Sequence, residues 1–292
     1  MTRPKIALTV GDPAGIGPEI VRKALADPRV LDACEPVPYG PDRLDRFVPG
    51  RPSADAGRAA FDAIVRAVED ARAGRVDAIA TAPVSKEAFA LAGLPWKGHT
   101  DLLAHLTGSP FGAMMFDAPK LRVVLVTVHV ALRDVAALIT VDRVRETVRL
   151  AARELPRFGV ERPRLAAAAL NPHAGERGLM GREDDEVIAP AVEACRAAGV
   201  DVSGPFPADT VFVRAARGEF DAVIACYHDQ GLIPVKLLSF GEAVNVTLGL
   251  PIIRTSVDHG TAFDIAGRGV ADHGSLVHAV RLAARLASRT RV

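Results

Sequence analysis

Short apolar runs alternate along the chain with stretches whose apolar positions recur every three or four residues. Residues 5–10, 76–81, 121–128, 165–170, 222–227 and 252–257 read as buried strands, most of them continuously apolar, as strands covered on both faces of a parallel sheet are. Between them, Phe61, Ile64, Val68 and Ala71 share one helical face before Gly74, and Val141, Val144, Val148 and Leu155 do the same after Thr140, a residue able to cap a helix. Residues 275–287 carry a further helical pattern. The alternation predicts a three-layer α/β architecture with a largely parallel sheet. Residues 27–54, rich in Pro, Asp and Arg, show no clear period and fit either an irregular connection or weakly patterned strand and loop.

The polar residues fall where these runs end. Residues 123–128 run into His129, 166–170 into Asn171, Pro172 and His173, and 222–227 into His228. In open parallel sheets ligands bind beyond the carboxyl ends of the strands. A single histidine there is most often a hydrogen-bonded loop residue, but three in the same topological position form a candidate metal set. Neutral imidazoles suit Zn, Co, Ni or Fe, and three protein ligands leave a position for substrate. The first strand runs into Gly11-Asp12-Pro13-Ala14-Gly15-Ile16-Gly17-Pro18-Glu19, a tight strand-to-helix turn. Its glycines are not spaced G-x-G-x-x-G and no Walker lysine follows, so the usual nucleotide fingerprints are missing. Lys236, Asn245 and Arg254 interrupt apolar sequence, and His99-Thr100 follows Gly98 at a predicted helix start. A guanidinium fork, an ammonium and free helix N–H groups suit phosphate or carboxylate, so these residues point to an anionic substrate if they converge.

Composition narrows the function classes. With 292 residues, 49% hydrophobic and 24% charged, the chain can bury one large core or two modest ones, which excludes a disordered or staple-dependent scaffold. Lys plus Arg number 36 against 35 Asp plus Glu, so no global field favours nucleic acid or anionic lipid, while a local anion site remains open. Cys34, Cys195 and Cys226 form no C-x-x-C pair and fit a reducing, cytoplasmic setting. No apolar stretch reaches membrane-spanning length, so no membrane partner is expected.

Taken together, GDPAGIGPEI at 11–20, GHT at 98–100, NPHAGE at 171–176, PADT at 207–210, YHDQG at 227–231, NVTLGLP at 245–251 and RTSVDHGTA at 254–262 resemble the 4-hydroxythreonine-4-phosphate dehydrogenase family of vitamin B6 synthesis. HGTAFDIAGRGVA at 259–271 is similar to the adenosine-binding loop of isocitrate and isopropylmalate dehydrogenases. The resemblance implies their two-domain α/β fold with a central cleft rather than a Rossmann fold. The expected first domain is 1–98 with 246–292, carrying the cofactor loop. The second is 99–245, carrying metal histidines and dimer contacts.

Position by position, the resemblance implies that His129, His173 and His228 hold one divalent ion (Zn, Co or Mg), with ligands contributed across a homodimer interface. It assigns substrate to His99, Thr100, Lys236, Asn245 and Arg254. His259, Gly260, Asp264 and Gly267 belong to the cofactor loop, where a carboxylate at Asp264 favours NAD over NADP. Asp209 matches an acidic residue near the metal, and it and a metal-bound hydroxide are the two candidate bases. The implied reaction is NAD-dependent oxidation of a phosphorylated hydroxy acid, then decarboxylation to 3-amino-2-oxopropyl phosphate. The chain is shorter than typical members between about 30 and 58. D-threonate or D-erythronate 4-phosphate is the alternative substrate, and phosphotransacetylase-like acyl transfer the alternative from another class.

Overall fold

The computed structural model describes residues 3–290, so the outermost residues of the expected first domain lie outside it. The strands are β1 (Lys5–Thr9), β2 (Glu35–Tyr39), β3 (Ala78–Thr81), β4 (Ala113–Asp117), β5 (Arg122–Leu125), β6 (Leu165–Ala168), β7 (Val202–Phe206), β8 (Ala222–Ala225), β9 (Val244–Leu248) and β10 (Arg254–Ser256). The helices are α1 (Gly17–Leu25), α2 (Pro28–Ala33), α3 (Ala54–Arg72), α4 (Lys86–Leu91), α5 (His99–Thr107), α6 (Val135–Leu138), α7 (Val141–Glu154), α8 (Ala189–Ala197), α9 (Ala208–Ala216), α10 (His228–Ser239) and α11 (Gly274–Thr290). Each of the six predicted strands is present, shortened at one or both ends, and the stretch without a period resolves into α2, β2 and a 3-10 turn at Leu44–Arg46.

Two compact units form, Met1–Gly112 with Val244–Val292, and Ala113–Ala243. The chain thus leaves the first unit after Gly112, not after residue 98. The reason is α5, whose Leu102 and Leu103 are buried in the same apolar cluster as Ile64 and Val68 of α3.

In the first unit the strand order is β2-β1-β3-β10-β9, with parallel pairs throughout except β9 against β10. One face of this sheet, represented by Ala7 and Ile79, packs with Ile64 and Val68 of α3, Phe89 of α4 and Leu102 and Leu103 of α5. On the opposite face lies α11, where Thr255 Oγ1 donates to the Ala279 carbonyl at 2.9 Å. Ser53 caps α3 by accepting from the Ala56 amide, which fixes where that helix begins.

In the second unit the order is β4-β5-β8-β6-β7, with only the β4–β5 pair antiparallel. Val123, Leu125, Val223 and Ala225 meet Val211 and Phe212 of α9 and Leu232 and Val235 of α10 in one core cluster. Gly231 lets α10 approach β5, because a Cβ there would stand 2.6 Å from the Val123 side chain. Thr140 caps α7 by accepting from the Arg143 amide at 3.2 Å. Among the described residues, no helix is long and apolar enough to cross a membrane.

Candidate active site

The first unit carries a polar row across the carboxyl ends of its strands. Thr9 is registered with Thr81, Thr81 with Ser256, and Ser256 with Asn245, so their side chains emerge on the same face of four adjacent strands. Arg254 lies two residues before Ser256 on that face and is 2% exposed. Its Nη2 donates to Thr81 Oγ1 at 2.7 Å and its Nη1 to Thr247 Oγ1 at 3.1 Å. Thr81 in turn donates to Ser256 Oγ at 3.0 Å. No carboxylate lies within ion-pair distance of Arg254 among the described residues, and burial pushes its guanidinium down to about 9.

Four buried polar atoms here have no partner: Arg254 Nε, Asn245 Oδ1, His99 Nε2 and Thr9 Oγ1. Each unpaired atom costs on the order of 1–3 kcal/mol, and an uncompensated buried charge more, which makes the cradle one that a ligand would complete. His99 and Thr100 open α5, whose N-cap Gly98 offers no side chain to the first-turn amides. Burial, and then the charge of Arg254, hold the His99 imidazole well below its ordinary value. His99 is therefore a neutral hydrogen-bonding group beside the cation. Thr81, Thr247, Ser256 and Thr9 were not singled out from sequence. Their signal is the one that marked the histidines, a polar residue closing an apolar strand.

The loop after β10 is fastened to the turn after β1. Ile16 N donates to the Thr261 carbonyl at 3.0 Å, and a Cβ on Gly15 would meet that oxygen at 2.9 Å. Glu19 accepts from Gly269 N and Ala271 N, while Lys23 donates to both carbonyls of the same two residues. His259 Nδ1 is 3.0 Å from the Gly260 carbonyl oxygen, and its Nε2 is buried without a partner. Asp12, 1% exposed, accepts from Ala14 N with one oxygen and leaves the other unpaired, and burial raises its pKa. Asp264 and Gly260 are exposed on the loop, and Gly267 turns it against Pro49. Orphaned donors and acceptors on a loop anchored at both ends suit a dinucleotide held mainly by hydrogen bonds.

The second unit carries the three strand-end histidines. The rings of His129 and His228 lie with centroids 5.5 Å apart, tilted by 41°. The Nδ1 of His228 faces Asp229 Oδ1 at 2.7 Å, which orients the ring and leaves Nε2 outward. His129 and His173 both hold left-handed backbone, at φ 47° and 52°, a conformation unusual for a residue with a side chain. Within one chain, however, no group of three or more His, Cys, Asp or Glu side chains is close enough to hold a metal among the described residues. The geometry brings His129 and His228 together and leaves His173 apart. Two adjacent imidazoles, one backed by a carboxylate, fit a divalent ion as a partial donor set.

Lys236 follows His228 on the same face of α10 and shares with it a groove of about 430 Å³ that Leu232, Ile233, Leu237 and Phe240 also line. Asp209 is exposed in the first turn of α9, which packs against the turn holding His173. Asp184, not singled out from sequence, is fully buried beneath that turn.

Comparison with known proteins identifies the family. The chain is 45% identical to a 4-hydroxythreonine-4-phosphate dehydrogenase of Desulforapulum autotrophicum, over 99% of this chain and 97% of the relative. That alignment runs over 329 positions, more than the 292 residues here, so the relative contains insertions. A D-threonate 4-phosphate dehydrogenase of Cupriavidus necator is 46% identical over 98% of each chain. Among solved structures, a 4-hydroxythreonine-4-phosphate dehydrogenase of Klebsiella pneumoniae superposes with a TM-score of 0.88 at 43% identity, covering 98% of both chains. At 15% identity and a TM-score of 0.50, an isocitrate dehydrogenase of Methylococcus capsulatus shares the fold, as the resemblance of the cofactor loop implied. The family described as "Pyridoxal phosphate biosynthetic protein PdxA" matches residues 20–283, and with 45% identity across nearly the whole chain, this protein belongs to that family.

Proposed function

We propose that this protein is an oxidoreductase that oxidises the secondary hydroxyl of 4-hydroxy-L-threonine 4-phosphate with NAD and a divalent metal, releasing carbon dioxide and 3-amino-2-oxopropyl phosphate. The observation that carries the reading is Arg254, a buried cation with no carboxylate partner among the described residues, surrounded by unpaired polar atoms. A phosphate completes that set. Arg254 Nε, Asn245 and the amides opening α5 at His99 and Thr100 would hold the phosphate, with Lys236 adding an ammonium to the substrate. Neutral His99 would donate a hydrogen bond without adding charge.

His129, His173 and His228 would hold the metal. When bound, the metal supplies Lewis-acid stabilisation of charge developing on substrate oxygen, and NAD supplies the hydride acceptor. His259, Gly260 and Gly267 would seat the adenosine, with Asp264 accepting from ribose hydroxyls and repelling a 2′-phosphate. Asp209, in the first turn of α9, would take the hydroxyl proton.

Homodimerisation belongs to the same proposal. Ile233, Leu237 and Phe240 form a second apolar stripe on α10, 58%, 81% and 82% exposed, opposite the stripe that packs on β5. Leu132 and Leu179 are also exposed, shortly after His129 and His173. Apolar surface close in sequence to each candidate metal histidine, with no complete ligand set among the described residues of one chain, supports a metal centre assembled from two protomers. Three buried free cysteines support a reducing, cytoplasmic setting.

The second reading, D-threonate 4-phosphate, is favoured by the Cupriavidus necator relative. NAD reduction by chelated protein with Zn, Co or Mg restored, on the two substrates side by side, separates them. Turnover of 4-hydroxy-L-threonine 4-phosphate is expected. Turnover of D-threonate 4-phosphate alone would replace the substrate and keep the hydride chemistry, and no turnover of either would overturn the proposal.

A further inference from the structure

We propose that Asp184 is the positioning residue that fixes His173 for metal binding, a role that rests on the metal reading above. The backbone from His173 to Arg177 is left-handed at every residue, with φ of 52°, 54°, 77°, 44° and 57°. Four of those five residues carry side chains, and each such conformation costs on the order of 1 kcal/mol unless its surroundings enforce it. The enforcing group is Asp184. Its Oδ1 accepts from Leu170 N at 2.7 Å and its Oδ2 from Asn171 N at 3.0 Å, where the chain leaves β6 for the turn.

Further contacts close the loop over that carboxylate. Asn171 Nδ2 donates to Glu183 Oε2 at 2.8 Å, and Met180 N to the Gly175 carbonyl at 3.0 Å. A Cβ on Gly175 would stand 2.9 Å from the Gly181 carbonyl and 3.5 Å from Asp184 Oδ2. Asp184 begins a π-helical turn, Asp184–Ile188, a rare geometry that recurs at functional sites.

No cation lies within ion-pair distance of Asp184 among the described residues, so a fully buried charge is held by main-chain N–H groups at the base of the His173 turn. Its field reaches Cys226, whose thiol is raised first by burial and then by this carboxylate. A buried charge in such a place is costly as packing alone. As a clamp on two consecutive amides it fixes the direction in which the His173 imidazole leaves the strand end.

Asp184→Asn tests this, because an amide can accept from one of the two N–H groups but turns its own NH2 towards the other. The readout is Co(II) titration of chelated protein, followed by d–d absorption, with His173→Ala alongside and circular dichroism to verify folding. Asp184→Asn is expected to weaken Co(II) binding about tenfold or more and to alter the absorption envelope. Glu183→Ala, which releases Asn171 but keeps the clamp, is expected to weaken it less. Wild-type affinity and spectrum in folded Asp184→Asn would overturn the proposal while His173→Ala still loses Co(II). Should Asp184→Asn not fold, Asp184→Ser, whose shorter hydroxyl cannot accept from both amides, takes its place, and wild-type Co(II) affinity and spectrum in that variant would overturn the proposal equally. Co(II) binding that ignores His173→Ala would instead overturn the metal reading itself.

Discussion

Arg254 and Asp184 are buried charges treated in opposite ways. Both oxygens of Asp184 are satisfied by main-chain amides, whereas among the described residues Arg254 keeps Nε unpaired and has two hydroxyls as partners. The first arrangement is finished in the folded chain, and the second awaits a ligand. Thr81 decides how well Arg254 is aimed, since it accepts from Nη2 and is itself oriented by Ser256. Thr81→Val preserves shape but removes the acceptor, leaving a charged N–H unpaired. We expect a loss of about 1–3 kcal/mol in urea unfolding and a rise of about tenfold in KM for the phosphorylated substrate, with kcat changed less.

At the scale of elements, legibility follows burial. The strands visible in the sequence are those covered on both faces, such as β1, β3 and β8, where apolar residues are continuous. Those not visible are β2 (EPVPY), with two prolines on an edge, β7 (VSGPF), half-buried and also on an edge, and the antiparallel β4 and β9. In β9 Asn245 and Thr247 interrupt the continuous apolar run that marked the other strands, and both face the cradle. The strand-end histidines were legible because position alone marks them. Asp184 was not, because its partners are backbone amides 13 and 14 residues away and leave no side-chain pattern.

Also at this scale, α1 fastens the proposed cofactor loop at Gly269 and Ala271 through Glu19 and Lys23, four residues apart. Burial works to raise the Glu19 pKa, but Lys23 and the amides of Ala271 and Gly269 outweigh it, so the carboxyl sits below its ordinary value of 4.5. Its stabilisation is therefore present above that value and is lost as pH falls through the lower, folded one. Glu19→Gln should flatten the acid limb of thermal stability and raise KM for NAD several-fold, with KM for the phosphorylated substrate unchanged. Equal changes in both constants would show that α1 supports more than the loop.

At the scale of the molecule, the proposed pairing of two protomers through the α10 stripe would make assembly and metal binding one event. Leu237→Glu with Phe240→Glu alters only side chains more than 80% exposed, so the fold should persist. Sedimentation should then show a monomer with weakened Co(II) binding and lost turnover. A monomer that retains both would place the whole centre within one chain.

The first unit is discontinuous, interrupted by the whole of Ala113–Ala243. Asn245, Thr247, Arg254 and the loop from His259 to Gly267 all belong to its later segment, as does α11, which covers one face of its sheet. During translation the second unit is therefore complete before the first can close, and β3 waits without β10, its neighbour on one side. A nascent chain carries His129, His173 and His228 before Asn245 and Arg254, so the proposed anion cradle would be the last part of the site to be completed.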